Sequence, residues 1–357
     1  MTCTQANLTA TTVTAPTPSN ITGATKAGTN RRLFVCDNPE ALTSTIGFGT
    51  NNMATLWHDT VSGRTRVSYR IFIWHANQIG STARIAVTVG NASLTDTLRI
   101  ENLRWELAAE TPITQDFLSG TGLCLAKAQL GRTLNATTPV DSVINTNSVG
   151  VVKEFGINQG NVKGAVLEFD IVSSSGSAMQ YKVRTVVART STADFRTQQA
   201  APVSLVKTHP RGSWDFSDII GNTITYDLGS GKKSTNISNG STDNLFKADS
   251  SCYDYTNALP NTGHYGANYA VTVNLSNNTG STKTAVLYLN ARAGNYVGAV
   301  KVNGGTTYGV PKITPSTGGA VEIHRVSVPN GTTIPVQLEF AHAGGSALAV
   351  AVMCDTL

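Results

Sequence analysis

The residues with the most capacity for chemistry are two carboxylate pairs set beside tryptophan. Glu101 and Glu106 bracket Trp105, and Asp215 and Asp218 follow Trp214. A pair of carboxylates can hydrolyse a glycosidic bond when the fold sets one as acid and the other as base or nucleophile. Trp57, Trp74, Trp105 and Trp214 could supply flat faces for sugar rings, and Trp57 and Trp214 are the candidate partner or glycan contacts. In a charge-poor chain, tryptophan more often fills a core or an interface, so a carbohydrate-binding surface protein is an alternative reading here. Two oxygen-rich turns follow: Asp37, Asn38 and Glu40, then Ser241, Thr242, Asp243 and Asn244. Calcium takes such oxygens, but neither turn has the dense acidic spacing of a dedicated loop. Each reads first as an Asx turn or helix cap, and calcium is the only cofactor the sequence suggests.

Other reactive types are scattered. His58, His75, His209, His264, His324 and His342 never fall two to four residues apart, and no nucleophile elbow, phosphate loop or zinc-protease helix is present. The cysteines are Cys3, Cys36, Cys124, Cys252 and Cys354, without a metal-ligand spacing. They read as inert thiols, with an intersubunit disulfide through Cys3 or Cys354 as the sharper alternative. The expectation is a protein without catalytic, cofactor-binding or metal residues.

The first 25 residues contain nine threonines and no charged side chain. Disordered tails are normally rich in charge, and the segment lacks the basic start and apolar run of a secretory signal. It reads as an extended, β-prone arm covered by protein. Over the 357 residues, only 14% are charged, against the usual quarter, and the net charge of +5 is diffuse. A neutral arm and the absence of a basic run argue against nucleic acid, and no apolar stretch is long enough for a membrane helix.

These residues must be positioned by strands. Segments 66–74, 83–89, 162–172, 181–188, 269–275, 284–289, 321–328, 334–340 and 347–353 alternate or are rich in Val, Ile, Thr and Tyr. Asn-Gly turns punctuate them, and only short helices fit, around 38–42 and 123–130. The fold class is all-β: an extended arm over residues 1–30, then two β-sandwich or jelly-roll-like domains over 31–205 and 206–357. Residues 87–93 and 273–279 share a loose rhythm that falls short of a repeat.

Three stretches carry a family resemblance: LFVCDNPE from Leu33 with LWHDTV from Leu56, THPRGSW from Thr208, and ARAGNYVGA from Ala291 leading to Lys301-Val302-Asn303-Gly304. Together they resemble β-rich surface proteins of spore-forming bacteria, some called copper amine oxidase-like, over residues 31–357. The resemblance implies a surface or envelope role. It does not imply oxidase activity, since no copper-type histidine cluster is visible. The leading expectation is a non-enzymatic, extracellular structural protein without a recognisable signal peptide. It would self-assemble as a homopolymer into an S-layer, fibre or crystal on a cell or spore, its arm adding a strand to a neighbour. A viral capsid protein is the alternative from another class.

Overall fold

The computed structural model describes residues 7–206, 208–254 and 256–357, and it is all-β. The N-terminal segment forms β1 (Ala10–Thr12), β2 (Ser19–Asn20) and β3 (Ala24–Ala27). The first sandwich contains β4 (Arg31–Cys36), β5 (Ala41–Thr43), β6 (Met53–Arg64), β7 (Arg66–Gln78), β8 (Ala83–Asn91) and β9 (Leu98–Leu107). Three short strands, β10 (Thr111–Pro112), β11 (Asn135–Ala136) and β12 (Val143–Ile144), surround helix α1 (Leu123–Gly131), before β13 (Val149–Ile157), β14 (Asn161–Ser173) and β15 (Met179–Ala188). The second half holds β16 (Arg211–Trp214), β17 (Asp218–Gly221), β18 (Ile224–Asp227), β19 (Lys233–Ile237), β20 (Asn268–Asn277) and β21 (Lys283–Ala291). It ends in β22 (Tyr296–Val302), β23 (Thr307–Ile313), β24 (Gly319–Val328), β25 (Thr332–His342) and β26 (Val350–Thr356).

The two sandwiches share one plan. In the first, β9-β14-β7-β4 faces β13-β8-β15-β6; in the second, β22-β25-β20-β17 faces β24-β21-β26-β19. Even the parallel pairs match: β4 and β5 run parallel to β7, as β17 and β18 run parallel to β20. The halves are therefore a structural duplication. The rhythm of residues 87–93 and 273–279 does not mark it, because it compares β8 with β20, whereas the fold matches β8 with β21 and β7 with β20.

The duplicated halves exchange strands. β3 precedes the first sandwich but pairs with β17 of the second; β16 precedes β17 but pairs with β4 of the first. Gly28, at φ +61°, turns the chain between β3 and β4, and its carbonyl accepts from Arg31 and Ser217. A β-carbon there would lie 2.4 Å from the Ser217 hydroxyl, so glycine suits the crossing on both counts.

The centre of the nine-stranded sheet, along β4 and β7, is buried on both faces. Along β7, Tyr69, Ile71 and Ile73 enter the core of the first sandwich, while Phe72, Trp74 and Ala76 join the core continuing into the second. Phe34 and Cys36 against Leu33 and Val35 divide β4 the same way. Period-two alternation sends successive side chains to opposite faces. Where both are apolar, both sides of the sheet must be covered. The second sandwich covers the outer side, with α1 wedged at one end against β22 and β25.

The helix expected over 38–42 is absent. Asn38 instead uses its side chain to receive the Val206 amide and to donate to the His209 carbonyl at 2.9 Å, and the Glu40 carbonyl accepts from Ala76. These bonds hold the turn extended.

Candidate functional site

The described part of the N-terminal segment lies on its own chain. β1 pairs with β24 and β2 with β19, covering both edges of the six-stranded sheet, while β3 covers an edge of the seven-stranded sheet. The Asn7 and Leu8 amides donate to the Gly309 carbonyl of β23. Side chains in β1 and β2 are all exposed, and Ile21 at 3% exposure is the buried apolar anchor between β2 and β3. The described part of the segment is thus held chiefly by main-chain hydrogen bonds, which need no charge. That accounts for its neutrality.

The tryptophans expected to meet a glycan or partner are core residues. Trp57 and Trp214 are both 0% exposed. The Trp57 indole donates to the Ser213 hydroxyl at 3.3 Å, with the Arg211 guanidinium stacked 5.2 Å from its ring centroid. Trp214 donates to the Lys247 carbonyl and packs edge-on against Phe246. Neither ring offers a face to a glycan or partner, because both lie where exchanged strand β16 joins the first sandwich.

The carboxylate pairs are likewise engaged. Glu101 lies between Arg66 and Arg99; Glu106 accepts from Asn135; Asp215 meets Lys26; Asp218 meets Arg70. Each of the four carboxylates thus has a hydrogen-bonding or ion-pair partner. Cys36, Cys252 and Cys354 are free thiols, whereas Cys124 is disulfide-bonded. Cys354 sits on β26, between β21 and β19, 2% exposed, and burial pushes its thiol up to about 12. It cannot present sulfur to a neighbouring chain without opening the sheet, which removes it as an intersubunit link. Cys3 lies outside the described residues.

The two oxygen-rich turns separate. Asp243 is fully buried and accepts from the Ser238 and Asn239 amides and from the Tyr269 hydroxyl, so its oxygens hold a loop together rather than a cation. Asn239 receives the Ser241 and Thr242 amides in an Asx turn. Asp37 and Glu40, by contrast, converge with His209, their ligand atoms within 4.8 Å of one another. Glu40 lies 3.0 Å from His209 Nε2 and also receives the Trp74 indole N–H at 3.1 Å. Burial pushes the Asp37 carboxyl up to about 7, and the hydrogen bond to Asp37 raises His209. Two carboxylates and an imidazole suit a borderline divalent ion better than calcium, which prefers oxygen alone. The histidine was missed as part of this set because it lies far along the chain and is brought in by the Asn38 clasp.

A second buried polar group was not visible in sequence. Ser238 Oγ lies 2.8 Å from His342 Nε2 and 3.0 Å from His264 Nδ1, and the Tyr296 hydroxyl lies 3.1 Å from His342 Nδ1. This resembles a serine–histidine pair, but all four residues are at most 3% exposed. Burial lowers both histidines to about 3. The group is therefore a neutral hydrogen-bond network inside the second sandwich.

No protein-family model matches the chain, and no curated protein matches it. Among solved structures, it is similar to the CUB1-EGF-CUB2 domain of human MASP-1/3 at 9% identity and TM-score 0.20, covering 84% of this chain and 99% of that one. It is similar to Lac15 from a marine microbial metagenome at 10% identity and TM-score 0.13, covering 93% and 66%. For the CBM22 tandem domain of Paenibacillus barcinonensis Xyn10C, the values are 8% and 0.17, covering 97% and 92%. Scores this low carry no functional reading. No helix among the described residues is long and apolar enough to cross a membrane.

Proposed function

We propose that the protein is a non-enzymatic structural building block. It assembles with copies of itself into an extracellular layer, fibre or crystal, and its N-terminal segment is the connecting element. The observation that supports this reading is how that segment is attached: three short strands on three sheet edges, bound mainly through main-chain hydrogen bonds and anchored by Ile21. A strand held in this way has a low cost of transfer to an identical edge on a second copy, since every hydrogen bond broken on one edge re-forms on the other. The doubly buried sheet and exchanged strands β3 and β16 join the sandwiches into one stiff unit, as a repeating subunit requires.

The test uses the register in which Thr25 faces Ile220, where Ile220 is 48% exposed. Thr25→Cys and Ile220→Cys are made as separate variants, each with Cys252→Ser, mixed as unfolded chains, refolded and oxidised. Exchange between copies gives a disulfide dimer containing one of each variant, and negative-stain images of the native protein show polymers that are lost when residues 1–27 are deleted. A native protein that stays monomeric at high concentration and forms no mixed dimer would overturn the reading.

A further inference from the structure

The outer face of the four-stranded sheet holds a group of buried polar atoms without partners among the described residues. Arg184 on β15 lies between Thr88 on β8 and His58 on β6, and Lys182, two residues earlier, lies between Gly90 and Thr60. Alternate residues point to one side of a strand, so these six positions form two adjacent rows. Arg184 is 6% exposed, and its Nε and Nη1 have no hydrogen-bond acceptor among the described residues; its Nη2 has a 3.4 Å contact with the Gln199 carbonyl. The Thr60 and Thr88 hydroxyls and His58 Nδ1 are buried and unpartnered in the same sense. His58 Nε2 meets Asp254 at 3.0 Å, and that carboxylate is also engaged by Asn257 and Thr256. Lys182 reaches the Tyr253 hydroxyl at 3.4 Å and lies 5.3 Å from that ring's centroid.

An open cavity of about 310 Å³ adjoins this face, lined by Thr60, Asn91, Lys182, Arg184, Gln199 and Tyr253 among others. Glycine at position 90 makes room for the guanidinium, since a β-carbon would sit 3.0 Å from Arg184 Nη1. A buried cation lacking a counter-charge is costly, and groups left unsatisfied in this way ordinarily have a partner. Two cations, the Thr60 hydroxyl and a tyrosine line this cavity, with the Thr88 position beside Arg184 behind it, and they present chiefly donors. The missing partner is therefore an acceptor with negative charge, and the planar fork of arginine matches a carboxylate or phosphate oxygen pair.

The geometry points to a binding site for a small polar oxyanion on the outer face of β6, β8 and β15, with Arg184 and Lys182 as its charge-bearing residues. The site is independent of self-assembly: it lies on the first sandwich, whereas the N-terminal strands lie on the second.

The test is thermal unfolding and calorimetric titration of the full chain with glucuronate and with inorganic phosphate, against glucose and sodium chloride at matched ionic strength. Either oxyanion should raise the midpoint where glucose and chloride do not, and the two arms tell a carboxylate from a phosphate. Lys182→Gln should weaken binding roughly tenfold, the effect of losing one charged contact. Arg184→Met should abolish binding and raise the midpoint of the ligand-free protein, because it removes an unpaired buried charge. A purely structural arginine would lower that midpoint when replaced. Wild-type protein that responds to neither oxyanion beyond the salt control, or an Arg184→Met variant that keeps the response, would overturn the assignment.

Discussion

Arg70 carries a guanidinium into the seam between the sandwiches. Its Nε donates to Glu168 on the neighbouring strand at 2.8 Å, and its Nη1 donates to Asp218 of the second sandwich at 2.7 Å. The arginine is 5% exposed, while both carboxylates keep partial contact with water. Replacing it with alanine leaves two carboxylates facing each other across a packed seam. The expected loss is about 3 kcal/mol, the lower end for removing one partner of a buried ion pair. Urea unfolding of Arg70→Ala measures it, and an unchanged midpoint would contradict the role given to the pair. At this scale the sequence was least legible. Arg70 and Asp218 are ordinary charged residues in sequence, and Trp57 and Trp214 read as core or interface first, with a sugar platform as the alternative. What decides each case is the other half of the chain: Ser213 for Trp57, Asp218 for Arg70. No local pattern reveals a partner so distant.

At the scale of elements, the duplication rests on a repeated staple. Asn77 closes the turn between β7 and β8, donating to the Ser81 and Ile157 carbonyls and receiving the Ile79 amide. Asn277 does the same between β20 and β21, donating to Ser281 and Val328 and receiving Thr279. The facing turns match too: the Gly160 amide donates to the Asn77 carbonyl, as that of Gly331 does to Asn277. Both asparagines are fully buried. Asn77→Ala and Asn277→Ala should each cost about 3 kcal/mol, since each strands a buried strand-end carbonyl. The double variant should lose the sum within about 0.5 kcal/mol because the sites share no partner. Chemical denaturation of the three variants checks this, and a marked shortfall from additivity would mean that the two turns are coupled. The signal was in the sequence: Asn-x-x-Gly-Ser-Thr begins at Asn77 and again at Asn277. Strand alternation located all nine expected segments, but it passed over others, among them β4, β13, β22 and β23 and the long β6 and β9. Gly63 and the charged run of Glu101, Arg104 and Glu106 break the apolar pattern there, although packing against neighbouring strands still holds them in the sheets.

For the whole molecule, the neutral histidines inside the cores set the response to acid. His264 and His342 are lowered to about 3 and His75 to about 4, each chiefly by burial, from an ordinary 6.5. An unfolded chain therefore binds protons at these positions below pH 6.5 that the folded chain refuses. Stability is complete above the unfolded value and falls as pH drops from about 6.5 toward the folded values. Each histidine withdraws about 2 kcal/mol by pH 5. Asp37 works in the opposite direction, because a carboxyl raised to about 7 by burial takes up its proton in the folded state first. It returns about 2 kcal/mol over the same interval, so the three histidines prevail. Urea midpoints should therefore fall between about pH 7.5 and pH 5, and the ring resonances of His264 and His342 should remain those of neutral imidazole throughout that interval. A flat midpoint, or either ring titrating near 6.5, would show that the polar network of the second sandwich is open to water. The closure of that sandwich by the N-terminal strands bears on the same measurement. With residues 1–27 removed, β17, β19 and β24 lose the strands that cover them, and the acid transition should move to higher pH as water gains access to the histidine pair.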